Sequence, residues 1–210
     1  MNRAPLRHNR DAALEAGLHQ FWRNGFHATS MKDLEQATGM HPGSLYAAFD
    51  SKLGFFTAAL NRYADAAASA IRAAVEAGDT PMRGLAAYVS GFADSGEAPA
   101  PACMLVKTLL EAREADHPLR DGAERGLAAI EGAIRDALAA AEAANQLRDD
   151  IVVETAAQRI QLNLIGLRSF ACRPGDRARV RVLAASIADE IVQLERVDLS
   201  HRRFNGEVTQ

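Results

Sequence analysis

Cysteine is scarce: Cys103 and Cys172 are the two in 210 residues, too few for a disulfide framework. No apolar run is long enough to cross a bilayer, and no signal peptide is visible. These absences lead to the expectation of a cytoplasmic protein with no membrane partner. The six His and two Cys are scattered, without C-x-x-C or H-x-x-x-H spacing, so no metal is expected. No strand pattern appears, hence no Gly-rich phosphate loop after a strand, and there is no G-x-S-x-G elbow. No cofactor and no enzymatic activity are expected. Strong charge of one sign is missing too: the net charge is −3. Residues 1–54 hold six Lys/Arg against five Asp/Glu, the remainder 18 against 22, and four of the six His lie in the first segment. Any phosphate-binding surface is therefore local, with an affinity that falls as salt rises.

What is present is alanine-rich helical periodicity from end to end, so the fold class is all-α. The stretch that organises the chain runs from Leu14 to Leu60. Ser30 has the chemistry of a helix N-cap, and Asp33 three residues later completes a capping-box pattern. Met31, Leu34 and Ala37 make a short apolar face, and Gly39 stands where a left-handed residue ends a helix. Pro42 suits the first turn of a new helix, and Leu45 and Phe49 would pin that helix to the one before it. His41, Gly43, Ser44, Tyr46 and Ala47 are left on the opposite face. Small residues there let a backbone approach closely, and hydroxyl or imidazole groups can reach phosphates and base edges. Two short helices joined by a tight turn, the second free to enter a major groove, are the expectation. Upstream, Leu14, Gly17, Leu18, Phe21 and Trp22 form a helical stripe ended by Gly25 and Phe26. Downstream, Asp50 or Ser51 caps another helix, and Lys52 sits unfavourably at its positive end, as a phosphate-binding lysine would.

The run from Ala13 through Phe21-Trp22-Arg23-Asn24-Gly25-Phe26 to Ser30, the motif Gly43-Ser44-Leu45-Tyr46 followed by Phe49, and Ser51-Lys52 together resemble the DNA-binding domain of TetR-type transcriptional regulators. The resemblance covers about fifty residues in register. It implies DNA contacts at Thr29, Ser30, His41, Gly43, Ser44, Tyr46 and Lys52. Leu53-Gly54 departs from the family pattern, which has an acidic and a larger residue there, but touches no contact position.

Beyond this domain the pattern predicts helices near 52–77, 82–93, 103–115 and 119–144, after an N-terminal arm at 1–6 and a first helix at 7–24. Phe56, Leu60, Tyr63, Ala67, Ile71 and Ala74 give the first of these an apolar stripe along its whole length, making it one rod between two regions. Two last helices follow, with seams Val153, Ala157, Ile160, Leu164, Leu167, Ala171 and then Val180, Ala184, Ile187, Ile191, Leu194. Leu162, Ile165, Leu183 and Val192 lie off those seams. Two apolar faces per helix exceed what one core requires, so residues 151–195 are expected to meet a second copy as a four-helix bundle. The resemblance implies the same role for the last two helices. Residues 1–51 are read as the DNA-binding domain, 52–199 as a helical ligand-binding and dimerisation domain, and 200–210 as a disordered tail.

Tyr63, Tyr88, Phe92, Cys103, Met104 and Lys107 are candidates to line a small-molecule pocket, four of them as aromatics or a thioether at helical spacing. The segment from Ala102 to Glu111 resembles the sixth-helix motif of a TetR subgroup, with Ala102 in place of Gly and Lys107 where Asn is common. Lys107 and Glu111 are spaced to pair across one turn. Cys103, at a helix start after a proline-rich loop, is either a thiol sensor or a small core residue. The sequence thus points to a ligand-responsive DNA-binding regulator, a homodimeric repressor released from a pseudo-palindromic operator by an unidentified small-molecule effector. A thiol-based electrophile or redox sensor using Cys103, and a helical interaction protein without DNA binding, are the alternatives.

Overall fold

Leu14, Leu18, Phe21 and Trp22 fall on one side of the first helix, and that side is buried in a computed structural model of the chain. The structure describes residues 4–91, 102–171 and 177–196, with side chains from residue 10 onward. Among the described residues there are nine helices and no named strand. They are α1 (Ala4–Asn24), α2 (Met31–Thr38), α3 (Pro42–Phe49), α4 (Lys52–Ala77), α5 (Pro81–Gly91), α6 (Met104–Glu111), α7 (His117–Ala143), α8 (Val153–Phe170) and α9 (Arg177–Val192). The first helix begins inside the stretch read as a loose arm. None of the described helices is long and apolar enough to cross a membrane.

The rod-like α4 is the spine. Phe55, Phe56, Leu60, Tyr63 and Ile71 are buried along its length, and it packs against α1, α5, α6 and α7. Its stripe includes Phe55, one position off the sequence pattern, because the first turns are enclosed on two sides. Phe55 stacks on Phe49 of α3 (ring centroids 3.8 Å apart) and meets Phe21 of α1 edge-on at 5.6 Å. Gly17 admits this ring; a Cβ at that position would run into it.

In α8 and α9 the predicted seams turn inward. Val153, Ala157, Ile160, Leu167, Val180, Ala184 and Ile191 are buried in the common core, with Leu164, Ile187 and Leu194 packed against it. Of the residues read as a second face, Leu162 and Leu183 are exposed (66% and 38%), whereas Val192 packs on the core and Ile165 lines a small half-open cavity. Val152 and Val182, not singled out in the sequence, add to the exposed apolar surface. Beyond α9 the chain is clamped: Arg148 N–H donates to Leu194 O (3.0 Å) and Arg196 N–H to Gln146 O (2.6 Å). Thr80 Oγ1 donates to the Glu195 carboxylate, which also pairs with Arg83. The tail at 200–210 lies outside the described residues.

Candidate nucleic-acid interface and effector cavity

The turn between α2 and α3 is built by local chemistry. Ser30 N–H donates to Asp33 Oδ2 (2.7 Å), and Asp33 N–H donates back to Ser30 Oγ (3.2 Å), a complete capping box. Those bonds hold the Asp33 carboxyl below its ordinary value, the Ser30 side chain contributing most. Gly39 ends α2 with φ 67°, in the left-handed region where a Cβ is penalised. His41 is the N-cap residue of α3, with extended backbone and no side-chain cap bond, and Pro42 occupies the first turn. Leu45 and Phe49 are buried, so α3 has one orientation. Ala37, read as part of the apolar face of α2, is exposed.

The opposite face of α3 is open. His41, Gly43, Ser44, Tyr46 and Ala47 are all exposed, Tyr46 by 48%. Nothing lies within 4 Å of where a Gly43 Cβ would stand. Ser30 is exposed as well, but its hydroxyl is occupied, donating to Asp33 Oδ2 at 2.7 Å. Thr29 departs from the expectation. It is fully buried, and its hydroxyl donates to Gly25 O (2.7 Å), so its side chain braces the end of α1 instead of facing a phosphate. Lys52 has a partner within the chain: its ammonium lies 4.5 Å from the Phe26 ring centroid. Partial burial pushes the Lys52 ammonium below its ordinary value, and nearby Asp33 opposes that shift.

Of the residues read as pocket-lining, Tyr63, Tyr88 and Cys103 do line one half-open cavity of about 40 Å³. Met104 and Lys107 do not. Met104 is 1% exposed and packed in the core, because the first turn of α6 points inward. Lys107 turns away to the end of α1, where its ammonium donates to Trp22 O (3.0 Å) and Arg23 O (2.8 Å) while pairing with Glu111 at 3.6 Å. A cation on the terminal carbonyls of a helix is the favourable end for the dipole. Phe92 lies outside the described residues. The cavity also takes in Gln161, Leu164, Ile165 and Arg168 of α8, which the sequence reading missed. The signal was present: Gln161, Leu164 and Arg168 recur at steps of three and four on a face otherwise assigned to packing. A larger concavity, about 240 Å³, lies elsewhere, as a groove on the outside of α8 and α9 bounded by Val152, Arg159, Asn163, Ile187 and Glu190.

Burial raises both phenols above their ordinary value. For Tyr63 the neighbouring Cys103 adds to the effect, and for Tyr88 the Arg168 charge opposes it. Tyr63 stands beside Cys103 and Met104 at the start of α6. The start of α6 is tied in turn to α1, since Trp22 Nε1 donates to Ala102 O (2.9 Å). Ala102 makes that bond with φ 72°, a left-handed conformation that is costly for a residue with a Cβ. Ala102→Gly is therefore expected to raise stability by about 1 kcal/mol and Tm by roughly 2–4 °C in a chain of this length. Thermal unfolding of the two proteins side by side would show it, and an unchanged or lower Tm would contradict the strain.

A second tie joins the α1–α2 turn to the start of α7. His27 Nε2 lies 2.8 Å from Asp116 Oδ2, which also accepts from Arg113 N–H at 2.8 Å. The Arg113 amide first, and His27 second, hold the Asp116 carboxyl below its ordinary value of 3.8. A carboxyl depressed in the folded state contributes stability that is fully present above its unfolded value and is lost as pH falls through the lower folded value. Acid below about pH 4 should release this tie, and Asp116→Asn should flatten that part of the Tm-against-pH curve. Parallel curves for the two proteins would show that Asp116 carries none of the dependence.

Residues 13–59 match the family described as bacterial regulatory proteins, tetR family. The same region is 49% identical over 57 residues to the HTH-type transcriptional repressor ComR of Escherichia coli (strain K12). That match spans 27% of this chain and only 27% of ComR, about a quarter of each. Along nearly the whole chain, the fold is similar to a TetR-family transcriptional regulator from Cytophaga hutchinsonii, with TM-score 0.78, 24% identity, and coverage of 94% of this chain and 100% of that one. It is similar as well to a cysteine mutant of the TetR-family regulator CifR complexed with 26-bp double-strand operator DNA, with TM-score 0.70, 27% identity, and coverage of 86% and 95%.

Proposed function

We propose that this chain, a TetR-type regulator by its N-terminal domain and by its fold, is a homodimeric, ligand-responsive repressor acting in the cytoplasm. The observation that carries the reading is the bare outer face of α3, where His41, Gly43, Ser44 and Tyr46 stand exposed on a helix whose other side is fixed by Leu45 and Phe49. Tyr46 and Lys52 position the helix on phosphates, and His41 and Ser44 address base edges. ComR is named a repressor, and CifR is bound to operator DNA; both support the reading.

The second copy joins through α8 and α9, where Leu162, Val182 and Leu183 are exposed beside an open groove. Two-fold symmetry then places the two α3 helices on successive major-groove faces, about 34–36 Å apart, and calls for a pseudo-palindromic operator. The effector occupies the cavity at Tyr63, Tyr88 and Cys103, and α4 and α6 carry its effect to α1. By linkage, operator and effector weaken each other by the same factor. The reading assigns the chain no catalytic step.

The test is to incubate the protein with fragmented genomic DNA and sequence what is retained at moderate salt. Recovery of a pseudo-palindrome supports the regulator, and log Kd for that site should rise linearly with log salt. Retention of no sequence at any salt rejects it. A thiol-sensing variant of the same reading is favoured by one observation, the position of Cys103 on the cavity wall at 5% exposure. Thiol titration in a Cys172→Ser background decides it: reaction only upon unfolding ends the sensor variant.

A further inference from the structure

The geometry points to Lys107 of α6 as the positioning residue for the reader helices: by holding the last carbonyls of α1, it fixes the spacing at which two α3 helices meet an operator. This role rests on the homodimeric regulator read above and adds to it the residue that sets the geometry of DNA binding. Lys107 itself touches no DNA.

An α-helix leaves the carbonyls of its last turn without intrahelical partners. In α1, which ends at Asn24, two of these belong to Trp22 and Arg23, and Lys107 Nζ donates to both, at 3.0 and 2.8 Å. Because it binds backbone oxygens, it fixes the end of the helix axis and not merely a side chain. The ammonium is only partly exposed and pairs with Glu111, one turn further along α6, at 3.6 Å. The Glu111 carboxylate in turn lies against Gly25, where a Cβ would run into Oε2. Gly25, with φ 81°, is the residue at which α1 stops and the chain turns toward α2. Together with the bond from Trp22 Nε1 to Ala102 O, α6 thus grips the last turn of α1 at three places.

Where the end of α1 lies decides where α3 stands. Residues 25–30 alone separate α1 from α2, and residues 39–41 separate α2 from α3. Within the first of these links Thr29 is buried, with its hydroxyl on Gly25 O at 2.7 Å, so the link has little slack. The other end of α6 begins at the cavity: Cys103 is on its wall, and the Cys103 carbonyl accepts from Lys107 N–H at 2.9 Å. A displacement of the start of α6 therefore moves Lys107, and with it the end of α1. Two copies held in this way make a bivalent reader, whose avidity depends on how well the span between its heads matches the span between half-sites. A stiff link rewards one spacing and penalises the others; a loosened link does neither.

Anisotropy is measured on two DNAs: the pseudo-palindrome recovered from genomic DNA, and the same sequence with one base pair inserted at its centre. The insertion moves the half-sites about 3.4 Å and roughly 35° apart. The wild type is compared with Lys107→Met, Lys107→Gln and Lys107→Arg, at a temperature where thermal unfolding shows them folded. The insertion should weaken wild-type binding by at least about 10-fold, and binding by the Met and Gln variants by no more than about 3-fold. On the uninserted operator these two variants should bind about 3- to 10-fold more weakly, since their heads are no longer held in place beforehand. Lys107→Arg keeps the charge and the donors and should keep the wild-type discrimination. The slope of log Kd against log salt should not change; a slope smaller by about 1 would make Lys107 a phosphate contact and overturn the role. A general loss of stability weakens both DNAs alike, so equal discrimination by wild type and Lys107→Met also overturns it. So does a wild type indifferent to the insertion, or an Arg variant that behaves like Met. Unfolding of both neutral variants assigns Lys107 to stability and ends the positioning role. A wild type that retains no sequence removes the regulator and this role together, whereas operator binding with unchanged discrimination removes the role alone.

Discussion

Replacing Gly43 with Glu should abolish operator binding while leaving the protein as stable as before, or slightly more so. Gly43 is the second residue of α3, exposed, with nothing within 4 Å of the place a Cβ would take, so the new side chain meets no neighbour. The first turn of α3 holds no acidic residue, and a carboxylate there is favoured by the helix dipole by about 0.3–1 kcal/mol. Leaving glycine inside a helix adds up to about 1 kcal/mol more. Tm should therefore stay the same or rise by a few degrees, at roughly 2–4 °C per kcal/mol. On DNA the effect reverses. The carboxylate is pressed against phosphates at the point of closest approach, where it both blocks the helix and repels the backbone. Specific sites are typically 10³–10⁷ times tighter than non-specific DNA, and a fall on the order of 10³-fold is expected. Anisotropy with the recovered operator measures it. Binding within a few-fold of wild type would mean that α3 does not enter the groove. Gly43→Ala, which adds a methyl group and no charge, separates close approach from repulsion.

Phe55→Ala should be the most destabilising single change in the N-terminal half. Phe55 is 0% exposed, stacks on Phe49, meets Phe21 edge-on and fills the hollow left by Gly17. Truncating a buried Phe costs about 3–5 kcal/mol through lost transfer energy and the cavity left behind. That is a large share of a total stability of roughly 5–15 kcal/mol, and it corresponds to a Tm lower by roughly 6–20 °C. Operator affinity should fall as well, since Phe49 fixes α3 by resting on Phe55. The two readouts separate Phe55 from Gly43: one substitution lowers stability and binding together, the other lowers binding alone. Denaturant unfolding that places Phe55→Ala within about 1 kcal/mol of wild type would show that this cluster does not hold the domain together.

The α2–α3 turn was legible because each of its determinants acts within a few residues. Ser30 and Asp33 bond each other, Gly39 takes a left-handed φ, and Pro42 starts the next helix. The same holds for α4, whose limits at Lys52 and Ala77 follow from the Ser51 cap and the Gly78-Asp79-Thr80 break. The candidate site was legible in part. The open face of α3 follows from which residues must be buried beneath it. The cavity was half visible, because Tyr63 and Tyr88 announce themselves by type, while Arg168 looks like any charged residue near a helix end.

By itself, then, the sequence determined the all-helical class, the caps of α2 and α4, the α2–α3 turn and the side of α3 left bare, since these are set by backbone conformation and by interactions across one or two turns; it ran the sixth helix on to 115, where the structure ends it at Glu111. Only the tertiary structure decided which way the longer-range groups turned. Thr29 is buried with its hydroxyl on Gly25 O, four residues back, because the α1–α2 turn folds over it. Lys107 ends on the carbonyls of α1, 84 and 85 residues away, and Arg168 lies between the Trp22 and Tyr63 rings and the cavity. The positions of Lys107 and Arg168 depend on where a distant helix lands, a matter settled by how the whole core packs and by no local spacing of residues.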